Sequence, residues 1–135
     1  MTVGIVGLGL MGGSLGLALQ NTKLVSKVVG FDHNLSHCEE ALKLGLVHEI
    51  VSFSEIKQSN VIFLAIPVGG IIKVLHELQD VNEKTTIIEL GSTKAEIVAS
   101  VPPCIRSNFI AAHPMTGTEK NGPSAAIQNL YHDKI

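Results

Sequence analysis

The sequence predicts a doubly wound α/β domain, a mainly parallel sheet with helices on both faces, and three observations carry that expectation. Short apolar runs of strand length alternate with helical stretches, beginning at residues 3–6 and recurring at 27–31, 61–66, 85–90 and 108–112. Hydrophobic residues make up 45% of the chain and aromatic ones only 4%, so the core is aliphatic, and valine, isoleucine and leucine suit parallel strands covered on both sides. The first run also ends in Gly7-Leu8-Gly9-Leu10-Met11-Gly12 and passes at once into a helical pattern. At 135 residues the chain has room for one such domain, 1–135, and not for two of ordinary size.

The glycine-rich turn makes the expectation specific. Gly7 permits a tight turn out of the strand, Gly9 lets a pyrophosphate approach the backbone, and Gly12 lets the new helix pack closely. The free N–H groups and the positive dipole end of that helix, which begins at Leu10 and Met11, suit a diphosphate. The helix is expected to end near Gln20-Asn21, and a second strand at 27–31 leads to Asp32, 20 residues beyond Gly12. An acid there accepts hydrogen bonds from both ribose hydroxyls of an adenosine and repels a 2′-phosphate. Together these features predict a Rossmann-type site for NAD in preference to NADP.

Further along, Ser36-His37-Cys38-Glu39 has the spacing of a capping box for a helix through Ala41, Leu42 and Leu44 that stops at Gly45. A short strand at 48–51 follows, and Ser52-Phe53-Ser54-Glu55 repeats the capping spacing for a single-turn helix. The continuous apolar run 61–66 reads as a central strand. It stops at Pro67, and the loop Pro67-Val68-Gly69-Gly70, expected beside the cofactor with Ile66 and Pro67 as contacts, turns into a helix to about residue 79 whose inward stripe is Ile71, Ile72, Val74, Leu75 and Leu78. After the strand at 85–90, Gly91-Ser92-Thr93-Lys94 opens another helix, with Thr93 and Glu96 at capping spacing. Pro102-Pro103 ends it, and the strand at 108–112 runs into His113-Pro114-Met115-Thr116-Gly117-Thr118-Glu119.

Several function classes find no support. The net charge is −2 with no basic block, so neither nucleic acid nor an anionic membrane is an expected partner. The apolar runs fall short of the ~20 residues that cross a bilayer, and the N-terminus enters a strand without a signal-type segment, which together predict a cytoplasmic protein. Cys38 and Cys104 read as reduced thiols, and no metal is expected.

Two residues stand out for chemistry. Ser92 and His113 each lie just beyond an apolar strand, at the carboxyl edge where this fold places its reactions, and histidine is the side chain best suited to take a proton near neutral pH. The set Gly7 to Ser14, Asp32, Gly91-Ser92-Thr93-Lys94 and His113-Pro114-Met115-Thr116-Gly117-Thr118-Glu119 resembles the prephenate and arogenate dehydrogenases of tyrosine biosynthesis, over essentially the whole chain.

That resemblance implies oxidative decarboxylation of prephenate to 4-hydroxyphenylpyruvate. His113 would hydrogen-bond the ring hydroxyl, Ser92 would orient it, and Glu119 would join Ser92 and His113 in binding substrate. Arg106, the one arginine, shows no sign of facing the site, and members of the family continue into a helical domain that forms a homodimer and supplies substrate-binding arginine. The chain is therefore expected to be the nucleotide-binding part, able to bind NAD yet nearly inactive alone. Arogenate, a β-hydroxyacid-type dehydrogenase and a non-catalytic dinucleotide-binding module remain open as alternatives.

Overall fold

Successive residues of a strand face opposite sides, so a strand that is apolar throughout must be covered on both. The computed structural model, which describes residues 1–90 and 101–111, meets this requirement with a parallel sheet between two helical layers. The strands are β1 (Thr2–Val6), β2 (Lys27–Phe31), β3 (Glu49–Ile50), β4 (Val61–Leu64), β5 (Thr86–Glu89) and β6 (Phe109–Ala111), in the spatial order β3-β2-β1-β4-β5-β6. Every pairing is parallel, with Gly4 of β1 opposite Val29 on one side and Ile62 on the other. The helices are α1 (Leu10–Leu19), α2 (Leu35–Lys43), α3 (Phe53–Ile56) and α4 (Val68–Glu77), and a 3-10 helix, Pro103–Asn108, leads into β6.

Alternation along the strands sorts the core into two halves. Val3, Ile5, Val28, Val61, Phe63 and Ile88 pack with Leu15 and Leu19 of α1 and Cys38 and Ala41 of α2. Val6, Val29, Ile62, Leu64 and Ile87 pack on the other side with Ile56 of α3, Ile71, Val74 and Leu75 of α4, Leu78 at its C-cap, and Ile105. Burying one such side chain contributes roughly 1.5–3 kcal/mol, so the four fully buried side chains of β4, flanked by β1 and β5, anchor the domain. The expected stripe of α4 is present, with Ile72 only partly covered.

Several local expectations change. Helix α2 begins before Ser36, and its cap is Asn34, whose Oδ1 accepts from the N–H groups of Ser36 at 2.9 Å and His37 at 3.4 Å. Asparagine does here what the serine of the expected capping box was assigned, because its side chain reaches the second and third N–H groups of a helix that starts at Leu35. Gly45 ends this helix as expected, with φ +70°, but Leu42 and Leu44 are exposed, and Cys38 and Ala41 form the buried face. The second predicted cap holds: Ser52 Oγ accepts from Glu55 N. Helix α4 starts directly after Pro67, so Gly69 and Gly70 lie in its first turn and not in a loop.

Asn108 closes the far end of the sheet, a role the sequence does not signal. Its buried amide donates to the carbonyls of Asn82, Glu83 and Thr85 and so ties the entry of β6 to that of β5. Arg106 is exposed on the 3-10 helix before β6, at the edge opposite the carboxyl ends of the strands.

The reassigned cap yields a direct comparison. Asn34→Ala is expected to cost about 1 kcal/mol by urea denaturation, whereas Ser36→Ala, exposed within the first turn, should stay within about 0.5 kcal/mol of the parent.

Candidate functional site

The strand order reverses direction between β1 and β4: the chain winds outward from β1 through β2 to β3, then returns to the other side of β1. In an open parallel sheet such a reversal leaves a crevice at the carboxyl ends of the strands, because the following helices lie on opposite faces. The turns after β1 and β4 flank this crevice.

The first turn is built on the absence of side chains. Gly7 has φ +102°, a left-handed conformation that L side chains rarely adopt, and its N–H donates to Phe31 O at 2.8 Å. A Cβ on Gly7 would overlap the Ala65 carbonyl and Ile66 Cγ2, so the β4–α4 connection lies directly against the turn. A Cβ on Gly12 would overlap the Gly7 carbonyl oxygen. Gly12 thus packs first on the turn itself, with Ile5 of the sheet beyond it.

Gly13 and Gly16 continue the same bare face of α1 against Leu46, where a Cβ on Gly16 would meet the Leu46 carbonyl. Gln20 then bonds the carbonyls of Gly45 and Leu46 at 2.9 and 3.0 Å. Sequence reasoning passed over this second pair of glycines, although their helical spacing was the available signal.

Gly9 differs from its neighbours, since a Cβ there would meet nothing within 4 Å. That open space faces the start of α1, where Gly9 is the N-cap and contributes no capping side chain. The N–H groups of Leu10, Met11 and Gly12 precede the first intrahelical bond, from Gly13 N to Gly9 O, and with the helix dipole they suit an anion. Leu10 is 91% exposed and Met11 is partly so, which places two apolar side chains at the rim. Ile66 is half-buried and Pro67 exposed on the other side.

Asp32 follows the last residue of β2 and is drawn onto the glycine turn. Its Oδ2 accepts from Leu8 N at 2.7 Å and from His37 Nδ1 at 3.1 Å, while Oδ1 accepts from Asn34 N at 2.8 Å. His33 and His37 stand four residues apart, a spacing found in two-histidine metal sites, but they diverge: His33 is edge-on to Phe31 at 5.2 Å and His37 turns to Asp32. Among the described residues no group of three or more potential ligands could hold a metal ion. Cys38 is buried and Cys104 exposed, both as free thiols. Ser92, His113 and Glu119, and the expected cap at Thr93 and Glu96, lie outside the described residues; the strands that precede them, β5 and β6, end at the same edge as β1 and β4.

Burial pushes the Asp32 carboxyl up, but the donors from Leu8, Asn34 and His37 and the charge of His37 outweigh it and hold the group below the usual 3.8. A carboxyl depressed in the folded state stabilises the fold above its unfolded value and loses that contribution as pH falls through the lower folded value. Asp32→Asn should therefore be less stable than the parent at pH 7, with the gap narrowing as pH drops below 3.8, read from urea midpoints across that range.

Comparison with known proteins bears on this geometry. A family model described as "Prephenate dehydrogenase, nucleotide-binding domain" matches residues 15–135. The prephenate dehydrogenase of Bacillus subtilis (strain 168) is 30% identical over 98% of this chain. Among solved structures, prephenate dehydrogenase from A. aeolicus in complex with hydroxyphenyl propionate and NAD+ superposes with TM-score 0.79 at 28% identity, over 88% of this chain and 43% of that one. Arogenate dehydrogenase from Synechocystis gives TM-score 0.73 at 30% identity, over 88% and 42%. The chain spans 37% of the length of the Bacillus relative. A parallel sheet in this strand order, a glycine turn backed by a β2 acid, and a family match over nine-tenths of the sequence agree: the chain belongs to the prephenate dehydrogenase family, as its nucleotide-binding domain.

Proposed function

We propose that this chain is the NAD-binding and catalytic-histidine part of an enzyme that oxidatively decarboxylates prephenate to 4-hydroxyphenylpyruvate. The observation that carries the cofactor reading is the Asp32 carboxylate held against the open glycine turn by Leu8 N. The solved relative that contains NAD+ and hydroxyphenyl propionate supports both the dinucleotide and a hydroxyphenyl ligand.

The residues fit such a cofactor. The N–H groups that open α1 would take the pyrophosphate over Gly9, where no side chain intervenes. An ionised carboxylate offers about four acceptor positions, and Asp32 uses three on Leu8, Asn34 and His37. Ribose hydroxyls would take the open position and compete with His37 for Oδ2. Leu10 and Met11 on one rim and Ile66 and Pro67 on the other would cover the apolar parts of the ligand. When bound, NAD supplies the hydride acceptor. Its negative neighbour Asp32 disfavours a 2′-phosphate, which is the basis for NAD over NADP.

For the chemistry, His113 would accept a hydrogen bond from the hydroxyl at ring carbon 4 and draw off its proton as hydride leaves that carbon. Loss of the ring carboxylate as CO2 leaves its bonding electron pair to complete the aromatic ring, and the proton returns to the ring oxygen, so a hydride and CO2 account for the net change from prephenate to 4-hydroxyphenylpyruvate. Ser92 would orient the hydroxyl and Glu119 would contact substrate. Arogenate is the second reading, favoured by the 30% identity to the Synechocystis arogenate dehydrogenase.

A steady-state assay of the full-length protein with both substrates and both cofactors tests the proposal. Prephenate-dependent NADH formation is expected, with arogenate and NADP poorer, and His113→Asn should lower kcat by about 10²- to 10⁴-fold. Unchanged turnover in that variant would remove His113 from the role, and equal calorimetric affinities for NAD and NADP would refute the cofactor choice.

A further inference from the structure

Resting on the reading of Asp32 as the ribose acid, we propose that His37 is a specificity-determining residue of the same site. Through its contact with the Asp32 carboxylate it sets how strongly a 2′-phosphorylated dinucleotide is rejected, and it does so according to its own protonation.

The geometry is direct. His37 lies in the first turn of α2, held there by the Asn34 cap, and its Nδ1 stands 3.1 Å from Asp32 Oδ2, the oxygen that also receives Leu8 N. The Asp32 side chain is only 15% exposed while that of His37 is 44% exposed, so the acid is sheltered and the histidine is open to solvent. An ionised carboxylate only accepts, so Nδ1 carries a hydrogen in either charge state and the contact persists. What protonation changes is the charge: a cation beside the carboxylate cancels its field, and Nε2 turns from acceptor to donor.

Among the described residues, His37 is the group that sets this balance. On its own helix Glu40 is one turn on, and in the preceding loop His33 is turned to Phe31. From the packed β3 segment, His48 Nδ1 accepts from Val28 N and Glu49 pairs with Lys27. Residues 7–19, the glycine turn and α1, contain no ionisable side chain. Among the described residues, the potential felt by a group beside Oδ2 therefore follows Asp32 and His37. With His37 neutral, a 2′-phosphate meets a net negative site; with His37 charged, it meets a compensated one that also offers a donor.

The test is the ratio of NADP to NAD dissociation constants, measured on the full-length protein by calorimetry from pH 5.5 to 8.5 for the parent, His37→Gln and His33→Gln. The 2′-phosphate has its own ionisation near pH 6, which acts on every variant alike, so the difference between parent and His37→Gln carries the result. As pH is lowered from 8.5 to 5.5 the parent ratio should drop by about fivefold more than that of His37→Gln, as expected for one screened, partly exposed charge, and His33→Gln should follow the parent. Parallel profiles for parent and His37→Gln would overturn the proposal, as would an equal loss of discrimination at every pH, which marks a static packing role. His37→Asn gives a second reading should glutamine disturb the helix start. Absence of saturable NAD binding by the parent at pH 8.5 would instead sink the dinucleotide reading itself.

Discussion

The close approach of α1 to the turn that precedes it is the constraint on which the rest of this domain depends. Gly12 lies on the Gly7 carbonyl and Gly16 on that of Leu46, and neither approach tolerates a Cβ. With the helix seated there, its N-terminus opens at the carboxyl edge of the sheet, and Leu8 N comes within 2.7 Å of the acid that ends β2. A side chain at Gly12 would move the helix, the donors and the acid together. Backbone contact, more than any one polar bond, aligns the parts of the site.

That alignment is backed by an unusually uniform core. Both faces of β4 are filled by valine, isoleucine and leucine with a single phenylalanine, and each face of the sheet has its own helical layer. Few polar side chains lie within this core, Ser59, Thr86 and Glu89 among them, and much of the polar work is done at the strand ends. At the carboxyl edge it is done by Asp32, and at the opposite edge by Asn108, which knits the entries of β5 and β6. The exposed Arg106 belongs to that opposite edge and has no part in the crevice.

Asp32 illustrates how one residue serves two ends. It organises the turn by accepting from Leu8, Asn34 and His37, and those same bonds favour its ionised form. A ligand that uses this carboxylate enters a network already formed, which reduces the ordering that binding requires. His37 is the replaceable member of that network, since it is more exposed than the acid and is not part of the backbone.

The sequence by itself determined the class of fold, the strands and most of the helices, because alternation between apolar runs and helical spacing is a local property. It also determined the glycine turn and the acid 20 residues beyond it, since backbone freedom and charge are written in residue type. The family, too, was legible in short segments, of which those holding Ser92, His113 and Glu119 lie outside the described residues. Only the tertiary structure decided what depends on distance between separated segments. Asn34 displaced Ser36 as the cap because the start of α2 is set by how the β2 turn leaves the sheet. Gly16 found its reason in Leu46, 30 residues away, and Leu8, Asp32 and His37 became one network because parallel pairing brings the ends of β1 and β2 side by side. No spacing within a single segment encodes those meetings.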